Sequence, residues 1–449
     1  MPQTQTLPQT RHLKPRFQKA LVLEEPDPSL DDYLRQQGIE PERLPRSATQ
    51  DVDGVIERLK EGQHDLLYKR SKFPVNERVL QASQNLAAIM LCCIGDDTVD
   101  KPACAREGVL VLNDPVSNGR SVVEMVIGEM IGLARRIFSA NEAGRRHLWT
   151  KDSSRRYELL GKSLSIIGLG NIGKQVAQLA DAIGMDIYFY DTSEVAREVG
   201  STLGWTACSS LEEAFRHGDF VTLHVSAEDS KGHPNRGMIT SDHFRQLAAE
   251  RGANSPRAFI NAARGFLYDP DDLKRAVEEG HVRAAAIDVF PDEPGSPEET
   301  WHNPYADMEE VVTTPHIGAA TQEAQPRIAA HMATSTQLFN EQGTVRDTVF
   351  APGQRIGVNT EPPHWTLAVV HSDVRGTKKA IDDSIYEAGA SNLQSNHRDF
   401  SDLGIAYDVS AIDEPLSDVQ LDKLIERAID LSGDPNAIRS IRQFKMNGG

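Results

Sequence analysis

The sequence lacks any hydrophobic run long enough to span a bilayer. Its longest, "LAAIMLCCIG" at 86–95, falls well short of the ~20 apolar residues that a membrane helix needs, which excludes a membrane partner of that kind. Cysteine is scarce. Cys92, Cys93, Cys104 and Cys208 are the four in 449 residues, two are adjacent, and none has metal-ligand spacing. A disulfide scaffold and a zinc module are thereby excluded; the expectation is reduced thiols, no metal and a cytoplasmic location. Positive charge is also short. The formal net charge is −18 and no Lys/Arg cluster stands out, so nucleic acid is not an expected partner. Low-complexity tracts and long internal repeats are absent. The opening stretch "MPQTQTLPQTRHLKPRF" has no apolar core of the signal-peptide kind and is expected to be a flexible tail over 1–17.

What the sequence does contain is a strand–helix rhythm. From Gln18, "KALVLEE", "DLLYKR", "LAAIMLCC" and "GVLVLND" are strand-like, with "SLDDYLRQQG" a capped helix among them. This alternation predicts a parallel sheet with helices on its faces. One long helical stretch is predicted from about Ser121 to His147, its first turns apolar nearly all round. The rhythm then restarts with "SLSIIGL", "DIYFYD", "FVTLHV", "AFINAA", "AAAIDVF" and "VVTTPH". Six such strands are what a doubly wound dinucleotide domain requires. A Gly-, Pro- and Thr-rich linker over 346–363 precedes a strand, helix, strand, strand, helix pattern from His364, which suggests a small α+β ferredoxin-like domain over 364–449. The fold class is therefore α/β: a first parallel-sheet domain from Gln18, then a doubly wound, Rossmann-type dinucleotide domain, plus the C-terminal domain.

"IIGLGNIGKQVAQLADAIGMDIYFYD" places Gly168, Gly170 and Gly173 in G-x-G-x-x-G spacing, after an apolar strand and at the start of an amphipathic helix. The first glycine permits a tight turn, the second lets the backbone approach a pyrophosphate at the helix N-terminus, and the third lets helix and strand pack closely. Asp191 ends the next strand, about 20 residues on, where a carboxylate can accept ribose hydroxyls. Thr192 and Ser193 follow it, with no adjacent Arg for a 2′-phosphate, so the cofactor is expected to be NAD.

Three later strands end in polar groups: Arg264 in "NAARG", Glu293 in "DVFPDEP" and His316 in "TTPHIG". Ligands of parallel α/β sheets bind at the carboxyl ends of strands, so the three can converge. Oxidising a 2-hydroxy acid needs a base for the hydroxyl proton and a cation for the carboxylate. His suits the first task, a carboxylate orients it and stabilises the imidazolium, and Arg grips a carboxylate bidentately. Taken singly, Arg264 could be a surface charge, Glu293 a loop residue and His316 a helix cap. Together behind a dinucleotide fold they favour catalysis.

The stretches "GLGNIG", "NAARG", "AAIDVFPDEP" and "TTPHIGAATQEAQ" resemble the D-isomer-specific 2-hydroxyacid dehydrogenases, over roughly residues 60 to 340. The resemblance implies His316 as acid/base, Glu293 as its partner and Arg264 as carboxylate clamp. It also implies that the Rossmann-type domain, over 117–317, is inserted in a split, flavodoxin-like substrate domain over 18–116 and 318–345. It implies cofactor contacts from Asn171, Ile172, Ala262, Ala263, Arg264, Asp288, His316, Ile317, Gly318 and Ala319. "LLYKRSKF" carries Arg70, Ser71 and Lys72, two cations around a hydroxyl, which suit a phosphate. In the members acting on 3-phospho-D-glycerate, an Arg–Ser–basic triplet at this place contacts substrate; here the second basic residue is Lys72 where some members carry Arg, which keeps the charge but not the fork geometry. That implies oxidation to 3-phosphohydroxypyruvate, the first step of L-serine biosynthesis, with Asn118 a further substrate contact. "HLWTK" holds Trp149 and Lys151; related enzymes place this stretch at a dimer interface, which implies a homo-oligomer with Lys151 approaching a neighbouring subunit's site, although a helix end packed around one Trp accounts for it equally. The C-terminal domain resembles an ACT regulatory module. Its "HSDVRG" and "GASNL" depart from the serine-binding pattern at Asp373, which leaves an amino-acid effector and a ligand-free interaction module both open. Two rival functions remain: another D-2-hydroxyacid dehydrogenase, and a non-catalytic NAD-sensing scaffold of corepressor type.

Overall fold

The computed structural model describes residues 9–229, 232–294 and 299–446, which divide into two units: 118–324, and the remainder of the chain on either side. In the first unit, β1 (Arg11–His12) precedes β2 (Lys19–Val22), β3 (Glu40–Arg43), β4 (Leu66–Lys69), β5 (Ala88–Leu91) and β6 (Leu110–Asn113), and helices separate β2 to β6 from one another. Strands β2 to β6 form a parallel sheet in the order β3-β2-β4-β5-β6. This is the flavodoxin-like order, and its runs "LLYK", "AIML" and "LVLN" are buried because helices cover both faces. Strand β3, "EPER", escapes a pattern-based reading because it is polar and contains Pro41. It is an edge strand, where a missing N–H is tolerated.

The second unit carries β7 (Ser163–Ile167), β8 (Asp186–Tyr190), β9 (Thr206–Ala207), β10 (Phe220–Leu223), β11 (Ala258–Asn261), β12 (Ala284–Ile287) and β13 (Val311–Thr313), all parallel, in the order β13-β12-β11-β10-β7-β8-β9. That is the doubly wound dinucleotide order with one strand beyond the six expected; β9 has only two residues and leaves no periodic signal. The expected long helix is two. Gly119–Arg135 ends where Arg136 turns left-handed (φ 53°), and Ile137–Arg145 follows with no buried side chain. The unit also ends later than expected. Residues 318–324 stay with it, held by bonds from the Ile317 and Gly318 amides to Asp288 and by Ser121 Oγ to Thr321 Oγ1 at 2.9 Å.

After helix Ala324–Gln342 the chain returns to the first unit. Strands β14 (Val345–Arg346) and β15 (Arg355–Ile356) pair antiparallel. The stretch expected as a linker is anchored along β6, by Val349 N to Val111 O at 3.0 Å and Thr348 Oγ1 to Val111 O at 2.9 Å. Strands β16 (His364–Ser372), β17 (Asn392–Phe400), β18 (Ile405–Ile412) and β19 (Ile438–Met446) then form an antiparallel sheet backed by helices Thr377–Glu387 and Asp418–Ser432, in ferredoxin-like order.

The N-terminal segment is not a loose tail where it is described. Residues 11–12 add a parallel strand beside β19. Arg11, buried, donates to Glu107 Oε2 at 2.9 Å and to the carbonyls of Leu80, Ser83 and Glu107. Nor is the C-terminal sheet separate from the first. Ala20, Tyr68 and Met90 share one hydrophobic cluster with Phe339, Val370, Tyr407 and Val409. Arg442 lies within it, its guanidinium carbon 4.3–5.0 Å from the ring centroids of Phe444, Phe17 and Phe339, and burial pushes its pKa down to about 9.

Candidate active site

The second unit gathers the fingerprint and the three strand-end groups at the carboxyl edge of one sheet. Gly168 (φ 93°) closes the turn after β7; a Cβ there would lie 2.6 Å from the His224 carbonyl. A Cβ on Gly173 would lie 2.1 Å from the Gly168 carbonyl. Both positions are therefore closed to side chains. Gly170 differs: a Cβ would meet nothing within 4 Å, and it starts helix Asn171–Ile183 without a side-chain cap. The positive end of that helix lies beside this open position with no side chain capping it, which fits a dinucleotide pyrophosphate. Asp191 follows β8. Its carboxylate accepts from the amides of Leu169 and Ser193, both at 2.7 Å, which pins it beside the glycine turn.

After β11, Asn261 Nδ2 donates to the Arg264 carbonyl at 2.9 Å and the Ala263 amide donates to Asn261 Oδ1 at 3.0 Å. This clasp shapes the Ala262–Arg264 turn. At Gly265 a Cβ would lie 2.0 Å from the backbone of Phe290, so the Arg264 turn and the loop bearing Glu293 run back to back. After β13, His316 adopts a left-handed conformation (φ 55°), with its amide donating to the Asp288 carbonyl at 2.8 Å. Its Nδ1 lies 2.8 Å from Glu293 Oε2. The His316 side chain is half exposed and that of Glu293 largely covered.

Asp288, 1% exposed, organises this turn. Its carboxylate accepts from Thr314 Oγ1 at 2.6 Å and from the amides of Ile317 and Gly318 at 2.8 and 2.9 Å. Burial raises its pKa against those hydrogen bonds. Gly318 is small for a reason: a Cβ would sit 3.1 Å from Asp288 Oδ2 and 3.3 Å from Met125 Cε.

Glu129 is a residue the motifs did not disclose. It lies one turn beyond Met125 on helix Gly119–Arg135, is buried, and its Oε2 has no hydrogen-bond partner among the described residues. Burial, then the Asp288 charge, pushes its pKa up to about 8. Its only sequence signal is a carboxylate on an otherwise apolar helical stripe. The raised value means that the folded chain holds this proton more tightly than the unfolded chain. The associated stability is present below the ordinary Glu range and is lost as pH rises toward 8. Glu129→Gln is therefore expected to gain ~1–3 kcal/mol over the parent at pH 8.5 and little at pH 5, read from urea unfolding at both pH values. An equal effect at both pH values refutes the assignment. His224, after β10, was also missed. Its ring is half-buried, Nε2 lying 3.0 Å from Thr222 Oγ1, and desolvation pushes its pKa down to about 3.

Asn118 is also in this unit, buried, with its Oδ1 unpartnered among the described residues; Lys151 is exposed. Arg70, Ser71 and Lys72 belong to the first unit, after β4. Their loop is held by Glu24, whose carboxylate accepts from the amides of Arg70 and Lys72 at 2.6 Å and Phe73 at 2.7 Å. Those amides are therefore committed, and any anion at this loop is met by the side chains.

The family profile described as the NAD-binding domain of D-isomer-specific 2-hydroxyacid dehydrogenases matches residues 127–318. A solved D-lactate dehydrogenase from Aquifex aeolicus, complexed with NAD and lactic acid, superposes with a TM-score of 0.59 at 25% identity, covering 71% of this chain and 95% of that one. The chain belongs to the D-isomer-specific 2-hydroxyacid dehydrogenases, NAD-dependent oxidoreductases. Within that family it is similar to D-3-phosphoglycerate dehydrogenase of Haemophilus influenzae, 36% identical over 303 residues, with 67% of this chain and 70% of the relative covered. It is likewise similar to D-3-phosphoglycerate dehydrogenase 2 of Saccharomyces cerevisiae, 32% identical over 412 residues, covering 88% and 82%.

Proposed function

We propose that the chain oxidises 3-phospho-D-glycerate to 3-phosphohydroxypyruvate. The observation that carries this reading is the 2.8 Å His316–Glu293 contact on the strand ends of a dinucleotide sheet. With Nδ1 directed at Glu293, Nε2 is the ring atom left to face a substrate hydroxyl. Arg264 holds the substrate carboxylate, and His316 Nε2 takes the C2 hydroxyl proton as the C2 hydrogen leaves with its electron pair. Bound NAD supplies the acceptor for that pair. Glu293 stabilises the imidazolium so formed, and Asp288 keeps the His316 turn in its left-handed conformation. Gly168, Gly170, Gly173, Asn171, Ile172 and Asp191 are the groups proposed to hold the pyrophosphate and ribose; Ala262, Ala263, Ile317, Gly318 and Ala319 are proposed to flank the nicotinamide.

The substrate phosphate is assigned to Arg70, Ser71 and Lys72, with Asn118 and a neighbouring subunit's Lys151 as further contacts. Arg70→Ala is expected to raise the KM for 3-phosphoglycerate on the order of 10–100-fold while the KM for NAD stays within about twofold. Steady-state NADH formation decides it, and an unchanged phosphoglycerate KM removes the phosphate assignment. Equal turnover of D-glycerate would favour a different 2-hydroxy acid. NAD binding without turnover of any hydroxy acid would favour a scaffold of the corepressor kind.

A homo-oligomer is supported by helix Ile137–Arg145, which buries none of its side chains, and by Trp149, 92% exposed beside Leu148. A second copy of the chain covering these residues accounts for both. The ferredoxin-like domain is proposed to act as an ACT-like regulatory module, with an amino-acid effector tested by assaying with and without serine. Four free cysteines accord with a cytoplasmic location. No helix among the described residues is long and apolar enough to cross a membrane.

A further inference from the structure

Lys69 is the last residue of β4 and immediately precedes the Arg70–Lys72 loop, yet it is 0% exposed. Lysine is almost never fully buried unless its charge is needed and paired. Here Nζ donates to Thr98 Oγ1 at 2.7 Å, and Thr98 Oγ1 donates to the Ser71 carbonyl at 3.3 Å. Burial pulls the Lys69 pKa down, while Glu24, Cys93, Asp97 and Asp96 push it back up. The ammonium is thus tied through Thr98 to the Ser71 carbonyl of the loop, and one of the acids acting on it, Glu24, grips three of the loop's amides.

That arrangement creates an electrostatic problem for a loop that is to receive a phosphate. Glu24 is needed to shape the loop, but its charge, with those of Asp96 and Asp97, repels an incoming dianion. In a poorly solvated setting such repulsion weakens anion binding strongly unless a cation offsets it. Asp96 is paired with Lys101 at 3.1 Å. Lys69 is the buried cation on the loop's inner side.

We propose that Lys69 is a positioning and specificity residue that selects for a phosphorylated substrate, by neutralising the acids beneath the Arg70–Lys72 loop and bracing the Ser71 peptide through Thr98. It does not touch the substrate, since its ammonium is sealed from solvent. It acts on how strongly Arg70, Ser71 and Lys72 attract a dianion. This inference rests on the phosphate assignment made for those three residues above.

The test is a KM-against-kcat comparison on two substrates, 3-phosphoglycerate and D-glycerate, which differ by the phosphate. Lys69→Met keeps the methylene stem and removes the charge. It is expected to raise the phosphoglycerate KM about tenfold, with kcat, the D-glycerate KM and the NAD KM within about twofold. Thr98→Val keeps the charge and cuts the brace, and is expected to raise the phosphoglycerate KM about threefold with the same selectivity. Equal KM changes for both substrates in either variant, or no change in either, overturn the proposal, because a merely structural lysine would not discriminate by phosphate. If Lys69→Met is recovered unfolded, by its thermal transition, Thr98→Val alone decides. Arg70→Ala separates the two levels. A raised phosphoglycerate KM in Arg70→Ala without one in Lys69→Met and Thr98→Val refutes only the role of Lys69; an unchanged KM in Arg70→Ala refutes the phosphate assignment itself.

Discussion

His316→Ala is expected to lower kcat by about 10²–10⁴-fold, the range that a positioned general base contributes, with NAD affinity changed by less than about threefold. The separation follows from geometry. The fingerprint turn at Gly168–Gly173 is built by glycine sterics and by Asp191, none of which depends on the imidazole. The turn that presents His316 is built by backbone and by Asp288. Removing the ring therefore takes away the proposed proton acceptor and leaves its support. Steady-state NADH formation and fluorescence titration with NADH give the two readouts. Retained full turnover would mean that the hydroxyl proton leaves by another route. Glu293→Gln is the companion variant: it keeps a hydrogen-bonding oxygen near Nδ1 but removes the charge that stabilises the imidazolium, so a partial loss of kcat is expected.

Arg264→Ala is expected to cost about 10²–10³-fold in kcat/KM for the hydroxy acid, because a bidentate guanidinium–carboxylate pair comprises two charge-assisted hydrogen bonds. Arg264→Lys is expected to recover only part of this, since an ammonium restores the charge without the planar fork. The turn itself does not rely on the Arg264 side chain; Asn261 clasps it through the Arg264 carbonyl. The thermal transition of Arg264→Ala should accordingly move little. A large drop in stability with an unchanged substrate KM would reassign Arg264 to a structural role.

The position of the Arg70–Lys72 loop shows how charge is managed in a strongly acidic chain. With a net charge of −18, the long-range field disfavours an anionic substrate, so local cations have to dominate at short range. Lys69 does so from below the loop without being exposed. Its counterpart in the other unit is Glu129, a buried carboxyl whose pKa is raised by burial and by the Asp288 charge. Both arrangements use burial to set the charge near the site, and both escape any reading that looks only for exposed polar residues in loops.

Some features were determined by the sequence alone. The glycine spacing, the apolar runs before it and the strand-end Arg264, Glu293 and His316 are local demands. A turn that admits no Cβ, or a strand buried on both faces, constrains residues within a few positions of each other, so the pattern is legible without coordinates. The two parallel sheets were legible in this way, as was the ferredoxin-like C-terminal pattern, although β3, β9 and β19 did not announce themselves: one is polar and proline-bearing, one has two residues, and one, "IRSIRQFKM", intersperses three cations among its apolar residues. Only the tertiary structure decided which distant polar groups would be buried together. Arg11 meets Glu107 across 96 residues, and the strand it belongs to pairs with β19 at the opposite end of the chain. Tyr407 reaches the Gly343 carbonyl at 2.6 Å, which joins the C-terminal sheet to the first core. Lys69, Glu129 and Asp288 acquire their properties from being sealed from water beside particular charges. A residue's desolvation is a property of everything packed around it, and no window of sequence contains that.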